Sequence, residues 1–159
     1  MLSRVQRIFN ILQMNTQTLK TMFSSVRIDY PTPDDVYKQL NDEFDFTLDP
    51  CANLENAKCR NFYTAEQDGL SKKWTGKVYM NPPYGRDIGR WIAKAYRSVT
   101  QKECELVVAL IPSRTDTRWW HDYVMNADEI RFVKGRIKFD GKNSAPFPSA
   151  IVIWRAQSC

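Results

Sequence analysis

The chain has 159 residues, 43% of them hydrophobic, and a formal net charge of +5. That length suits one domain with a proper core and leaves little room for a second. The basic excess favours an anionic partner without specifying one, and no apolar run approaches the ~20 residues that a membrane helix needs.

Residues 1–28 contain no acid and carry Arg4, Arg7, Lys20 and Arg27. They read as an extension to a folded domain over 29–159, with an organelle transit peptide as the alternative. Thr32-Pro33-Asp34-Asp35 predicts a helix start, with Thr as the cap, Pro at the first position and acids in the first turn. Val36, Leu40 and Phe44 continue it at helical spacing. Phe46-Thr47-Leu48 reads as a short strand ending in Asp49-Pro50-Cys51-Ala52. From Asn53 to Lys73 there is no clean period.

Lys77 to Met80 predicts a strand. Ile88, Trp91, Ile92, Ala95 and Val99 form the apolar stripe of an amphipathic helix. Glu105 to Ile111 is a continuous apolar strand, as expected where both sheet faces are covered. Thr115-Asp116 is the expected cap of a further helix carrying Trp119 and Trp120, one for the core and one for the surface. Ile130 and Phe132 alternate with Arg131, and Ile137 and Phe139 with Lys138. The switch of parity at Gly135 predicts a β ribbon with a bulge or tight turn. Ala150 to Trp154 is a final strand. Helices and strands that alternate first and end in β structure predict an α/β, Rossmann-like sheet. Helices should cover both faces, and an antiparallel C-terminal edge should finish it.

The most informative stretch is Asn81-Pro82-Pro83-Tyr84, between the Lys77–Met80 strand and a helix. This turn resembles the amino-nitrogen methylation signature of S-adenosylmethionine-dependent methyltransferases. An exocyclic amine on a base is a poor nucleophile, because its lone pair is delocalised into the ring. Two acceptors aimed at its hydrogens, the Asn81 side-chain oxygen and the Pro82 carbonyl, draw the nitrogen toward tetrahedral geometry. Consecutive prolines lack N–H groups and hold the turn extended with carbonyls free. Tyr84 offers a flat face for a flipped base; the alternative is a core tyrosine.

Around this turn the chain resembles the short phage- and prophage-encoded DNA N6-adenine methyltransferases, the phage Dam type. The likeness is carried by Tyr30-Pro31-Thr32-Pro33, Phe46 to Ala52, Glu55 to Cys59, Asp68-Gly69-Leu70 with Trp74, Met80 to Gly85, Arg114 to His121, and Ala145 to Ala150. It covers roughly residues 29–154. The resemblance implies S-adenosyl-L-methionine as cofactor and double-stranded DNA as partner. It places Asp49, Pro50, Cys51 and Ala52 at the methionine end of the cofactor, although the usual Gly-x-Gly is missing there. Asp68 would accept from the cofactor's adenine amino group, with Leu70 packing nearby. Asn56 and Glu55 are candidates for its ribose.

Arg86, Arg114, Arg118, Lys134, Arg136 and Lys138 are candidate DNA contacts. Arg114 and Arg118 are equally candidates for the cofactor carboxylate, and the lysine-rich stretch equally a guarded sheet edge. His121 is expected to take a polar partner rather than act as a base. Cys51, Cys59, Cys104 and Cys159 include no Cys-x-x-Cys pair and His121 is the only histidine, so no metal is expected. Nothing reads as a secretory signal, so a cytoplasmic setting with reduced thiols is expected. Two rivals share these features: an amino-methyltransferase acting on RNA or protein glutamine, and a non-catalytic DNA-binding module.

Overall fold

The computed structural model describes residues 29–158; the extension expected over 1–28 lies outside them. Six strands are formed: β1 (Leu48–Asp49), β2 (Asn61–Phe62), β3 (Lys77–Met80), β4 (Leu106–Pro112), β5 (Glu129–Phe132) and β6 (Ser149–Arg155). The helices are α1 (Asp34–Phe44), α2 (Ile88–Thr100) and α3 (Arg118–Tyr123). The strands make one sheet in the order β2-β1-β3-β4-β6-β5. β2, β1, β3 and β4 run parallel, and β6 runs antiparallel to both its neighbours.

The antiparallel C-terminal strand expected at the edge is present, one place further in. β6 buries six of its seven residues and needs a partner on each side. β5 is only half-buried and ends in Phe132, 68% exposed, so it tolerates the edge. Alternation along the strands separates the two faces. On one face Tyr79 meets Tyr37 of α1, and Phe44 of α1 stacks on Phe46. On the other, the Trp154 indole N–H donates to the Tyr123 carbonyl of α3 at 3.0 Å. Val107 to Ile111 are wholly buried between these layers. Trp74 and Trp154 are also buried, and each removes about 4–6 kcal/mol worth of apolar surface from water.

Three expectations need correction. Thr32 is not the cap of α1. Pro33 holds that position with no side-chain cap bond, because the Thr32 hydroxyl is bonded to Tyr79 instead. The cap of α3 is Thr117, whose hydroxyl accepts from Trp120 N–H, rather than Thr115. The ribbon over 130–139 does not form. β5 pairs with β6, and 133–148 is a loop that turns at Gly135 with φ +76°. Ile137 and Phe139 alternate with exposed cations because they plug the core; they pair with no strand.

Candidate active site

The parallel strands bring the chain segments after Asp49, Met80 and Pro112 to one edge of the sheet, where open α/β sheets bind ligands. Asn81 begins the segment after β3. Its Nδ2 donates to the Tyr30 carbonyl at 2.6 Å and to Thr32 Oγ1 at 3.0 Å. Its Oδ1 is buried and accepts no hydrogen bond. A buried acceptor left unsatisfied costs about 1–3 kcal/mol, so it calls for a donor from outside the chain, a ligand or a water. Pro82 is buried beside it and Pro83 is exposed.

Asp49, at the end of β1, is 4% exposed. Its carboxylate accepts from Cys51 N–H at 3.4 Å and from Lys58 N–H at 3.1 Å. Burial outweighs those bonds and the Lys58 charge, and pushes its pKa up to about 6. Burial also pushes the Cys51 thiol well above its ordinary range, so it stays protonated and is no nucleophile. Asp49, Cys51, Thr32, Tyr79 and Asn81 share a small cavity of about 20 Å³, which Asn56 and Lys58 help to line. Beyond the ends of β1 and β2 lies an open groove of about 740 Å³, with Leu54, Glu55, Phe62 and Gln67 on its walls.

Asp68 is exposed and holds a left-handed backbone, φ +51°, a conformation that a non-glycine residue keeps only under constraint. The constraint is visible next door. A Cβ on Gly69 would sit 2.0 Å from the Pro50 carbonyl oxygen, so only glycine lets this turn lie flat against Pro50. The Trp74 indole N–H fixes it from the other side by donating to Gly69 O at 2.9 Å. The backbone thus joins the Asp49–Ala52 and Asp68–Leu70 stretches, and Leu70 packs on the core. The Asp68 carboxylate itself stays at the surface.

Tyr84 is 5% exposed, and its hydroxyl donates to Leu110 O at 3.0 Å. Its ring is stacked by Tyr30, with centroids 5.3 Å apart and planes 25° apart. Phe147 and Phe139 meet it edge-on. Tyr30 covers one face of the ring, and Tyr84 sits in the core, the alternative to an open stacking face.

Arg86, Arg114, Arg118, Lys134, Arg136 and Lys138 are all exposed. Arg118 pairs with Asp122 on its own helix, and the Arg114 charge reaches Tyr84. Lys134, Arg136 and Lys138 ride on the loop whose Phe139 packs against Tyr84, so this loop carries positive charge beside the aromatic cluster. His121 Nε2 bonds Thr115 O at 2.8 Å. Trp120 is buried as the core member expected of the pair, and Trp119 is half-buried and packs against the core rather than lying free on the surface. Among the described residues no three His, Cys, Asp or Glu side chains gather as a metal site. No helix among them is long and apolar enough to cross a membrane. Sequence reasoning does not name Thr32, Tyr30 and Tyr79 as site residues. Tyr30-Pro31-Thr32-Pro33 stands among the stretches of the family likeness, but its Thr-Pro pair reads as a helix start, and Tyr79 reads as an ordinary strand residue.

The DNA N-6-adenine-methyltransferase (Dam) family matches residues 19–157. A DNA N-6-adenine-methyltransferase of Haemophilus phage HP1 is 36% identical over 96 residues, covering 59% of this chain and 54% of its own length. One of Escherichia phage T1 is 32% identical over 121 residues, covering 73% and 49%. The chain thus spans about half the length of the curated relatives it matches. Among solved structures, the 23S rRNA methyltransferase ErmE superposes with a TM-score of 0.53 at 12% identity, over 82% of this chain and 70% of that one. The sheet described above is therefore of the Rossmann-like methyltransferase kind.

Proposed function

Since the chain belongs to the DNA N-6-adenine-methyltransferase (Dam) family, we propose that it transfers a methyl group from S-adenosyl-L-methionine to N6 of adenine in double-stranded DNA. The observation that carries this reading is the buried, unpartnered Asn81 Oδ1 at the end of β3, an acceptor with no donor in the protein. One amine hydrogen bonds to it and the Pro82 carbonyl takes the other. The nitrogen becomes pyramidal and its lone pair is freed from the ring.

When bound, S-adenosylmethionine supplies an electrophilic methyl on a positively charged sulfur. The residues fit it. The buried Asp49 carboxylate suits the cationic methionine end, with Pro50, Cys51 and Ala52 giving close backbone. The groove beside Glu55 and Phe62 suits the adenosine, with Asp68 and Leu70 on the turn that Gly69 holds against Pro50. Cys51, held protonated, forms no bond to the base. The target base must leave the duplex stack. It takes the face of Tyr84 as the Tyr30 ring rotates away, so one aromatic stack replaces another. Lys134, Arg136 and Lys138, with Arg86, Arg114 and Arg118, follow the phosphates. The setting is the cytoplasm of a host cell.

Asn81→Ala tests this reading. It should slow transfer about a hundredfold or more, the usual effect of losing one acceptor or donor that acts in the transition state. Cofactor affinity by calorimetry should stay within about threefold. Turnover near the wild-type rate would remove Asn81 from the chemistry.

A further inference from the structure

We propose that Thr32, together with the Tyr30 main-chain carbonyl, sets which end of the Asn81 amide meets the substrate. Thr32 is thereby a positioning residue for methyl transfer. The inference rests on the adenine-amine reading above and adds residues that lie some fifty positions away in the chain.

The two ends of an asparagine amide have nearly the same shape and opposite hydrogen-bond character. Only the oxygen can accept from an amine, so a flipped Asn81 would oppose two N–H groups to two N–H groups. The surroundings decide the orientation without appeal to the assigned atoms. A main-chain carbonyl accepts and never donates, so the amide end 2.6 Å from Tyr30 O must be the nitrogen. That nitrogen has two hydrogens, and Thr32 Oγ1 takes the second at 3.0 Å. Both donors are then spent, and Oδ1 is left as the unpartnered end of an amide that lines the cavity.

The Thr32 hydroxyl is itself held. It is 5% exposed and lies 2.6 Å from the Tyr79 hydroxyl, on the buried strand that leads into Asn81. Burial drives the Tyr79 phenol far above its ordinary range, so it remains a neutral hydroxyl that can give or take one hydrogen bond. The chain Tyr79–Thr32–Asn81 runs from the sheet core to the reacting position. It also explains why Thr32 does not cap α1. Its side chain is occupied elsewhere, and the helix begins on Pro33 uncapped. The arrangement favours asparagine over aspartate at position 81. A carboxylate oxygen set against the Tyr30 carbonyl would be repelled, although a carboxylate is the stronger acceptor for an amine.

The test compares Thr32→Val, Thr32→Ser and Tyr79→Phe with wild type. The readouts are single-turnover transfer to an adenine-containing duplex at saturating cofactor, cofactor affinity by calorimetry, and melting temperature. Thr32→Val keeps size and removes the acceptor. It should slow the saturated rate about tenfold, the factor for one neutral hydrogen bond, with cofactor affinity within about twofold. Thr32→Ser keeps the hydroxyl and should stay within about threefold of wild type. Tyr79→Phe frees the Thr32 hydroxyl to rotate and should show a smaller loss of the same kind. A Thr32→Val enzyme that folds and transfers at the wild-type rate overturns the inference. So does a loss that appears wholly in cofactor affinity, or one that serine does not rescue. If Thr32→Val fails to fold, Tyr79→Phe and Thr32→Ser decide. A slowed saturated rate in Tyr79→Phe with cofactor affinity unchanged and Thr32→Ser near wild type supports the inference, and a Tyr79→Phe enzyme that folds and transfers at the wild-type rate sinks it. Failure of wild type to methylate adenine is a separate outcome, and it refutes the proposed function instead.

Discussion

Replacing Tyr84 separates its place in the core from its proposed role under a flipped base. The ring is 5% exposed, stacked by Tyr30 and edged by Phe139 and Phe147, and its hydroxyl is bonded to Leu110 O. Tyr84→Ala empties a large aromatic site and should cost about 3–5 kcal/mol. In a protein of this size each kcal/mol moves the melting temperature by about 2–4 °C, so the variant should melt roughly 6–20 °C lower. Tyr84→Phe keeps the ring and loses one buried neutral hydrogen bond, worth about 1 kcal/mol, so its melting point should fall by only about 2–4 °C. Binding gives the second readout. A duplex carrying 2-aminopurine at the target base should brighten on binding wild type or Tyr84→Phe, as the base leaves the stack. Losing a stacking face costs about 1–3 kcal/mol per base, so Tyr84→Ala should need about 5- to 150-fold more protein for the same signal. Two results would refute this account. One is a Tyr84→Ala protein that melts within about 2 °C of wild type. The other is a Tyr84→Ala protein that brightens the probe as readily as wild type.

Gly69→Ala should destabilise the protein by about 1–3 kcal/mol, since a methyl placed 2.0 Å from Pro50 O forces the backbone apart. Cofactor affinity should fall with it; an unchanged melting point and affinity would show that the turn does not brace Pro50. Asp49 gives a pH signature. Its folded pKa of about 6 lies above the ordinary value of 3.8, so its contribution to stability is fully present below pH 3.8 and is lost as pH rises through 6. Ionised Asp49 then costs the fold about 3 kcal/mol at neutral pH. A cationic cofactor favours the ionised form. Cofactor affinity, measured by calorimetry from pH 5 to 8, should be flat above 7 and weaken up to tenfold per pH unit below 6. Asp49→Asn should flatten that profile, and a wild-type profile already flat would take Asp49 out of the site.

Much of this was readable in the chain because the signals were local. Lys77–Met80 and the α2 stripe carry their own periodicity, and the Asn-Pro-Pro-Tyr turn marks where β3 ends. What stayed hidden depends on partners distant in sequence. β2 is two residues long and forms because it lies beside β1, so it leaves no pattern. Ile137 and Phe139 alternate like a strand, yet both are buried in the core without pairing, and Phe139 meets Tyr30, Tyr84 and Phe147. The Thr32-Pro33 pair marks a helix start correctly, but the Thr32 hydroxyl does not cap it and goes instead to Tyr79 and Asn81, forty-seven and forty-nine residues away. Tyr84 satisfies a stacking motif and a core position at once, and local sequence does not rank the two.

The central claim is methyl transfer to adenine N6 in DNA. Its most direct test incubates the protein and labelled S-adenosylmethionine with unmethylated duplex DNA, RNA and a protein extract in parallel, then digests each and separates the nucleosides and amino acids. The account predicts label in N6-methyladenine from the DNA, and its loss with Asn81→Ala. Label confined to RNA or glutamine, or no transfer by a protein that calorimetry shows to bind the cofactor, would contradict it.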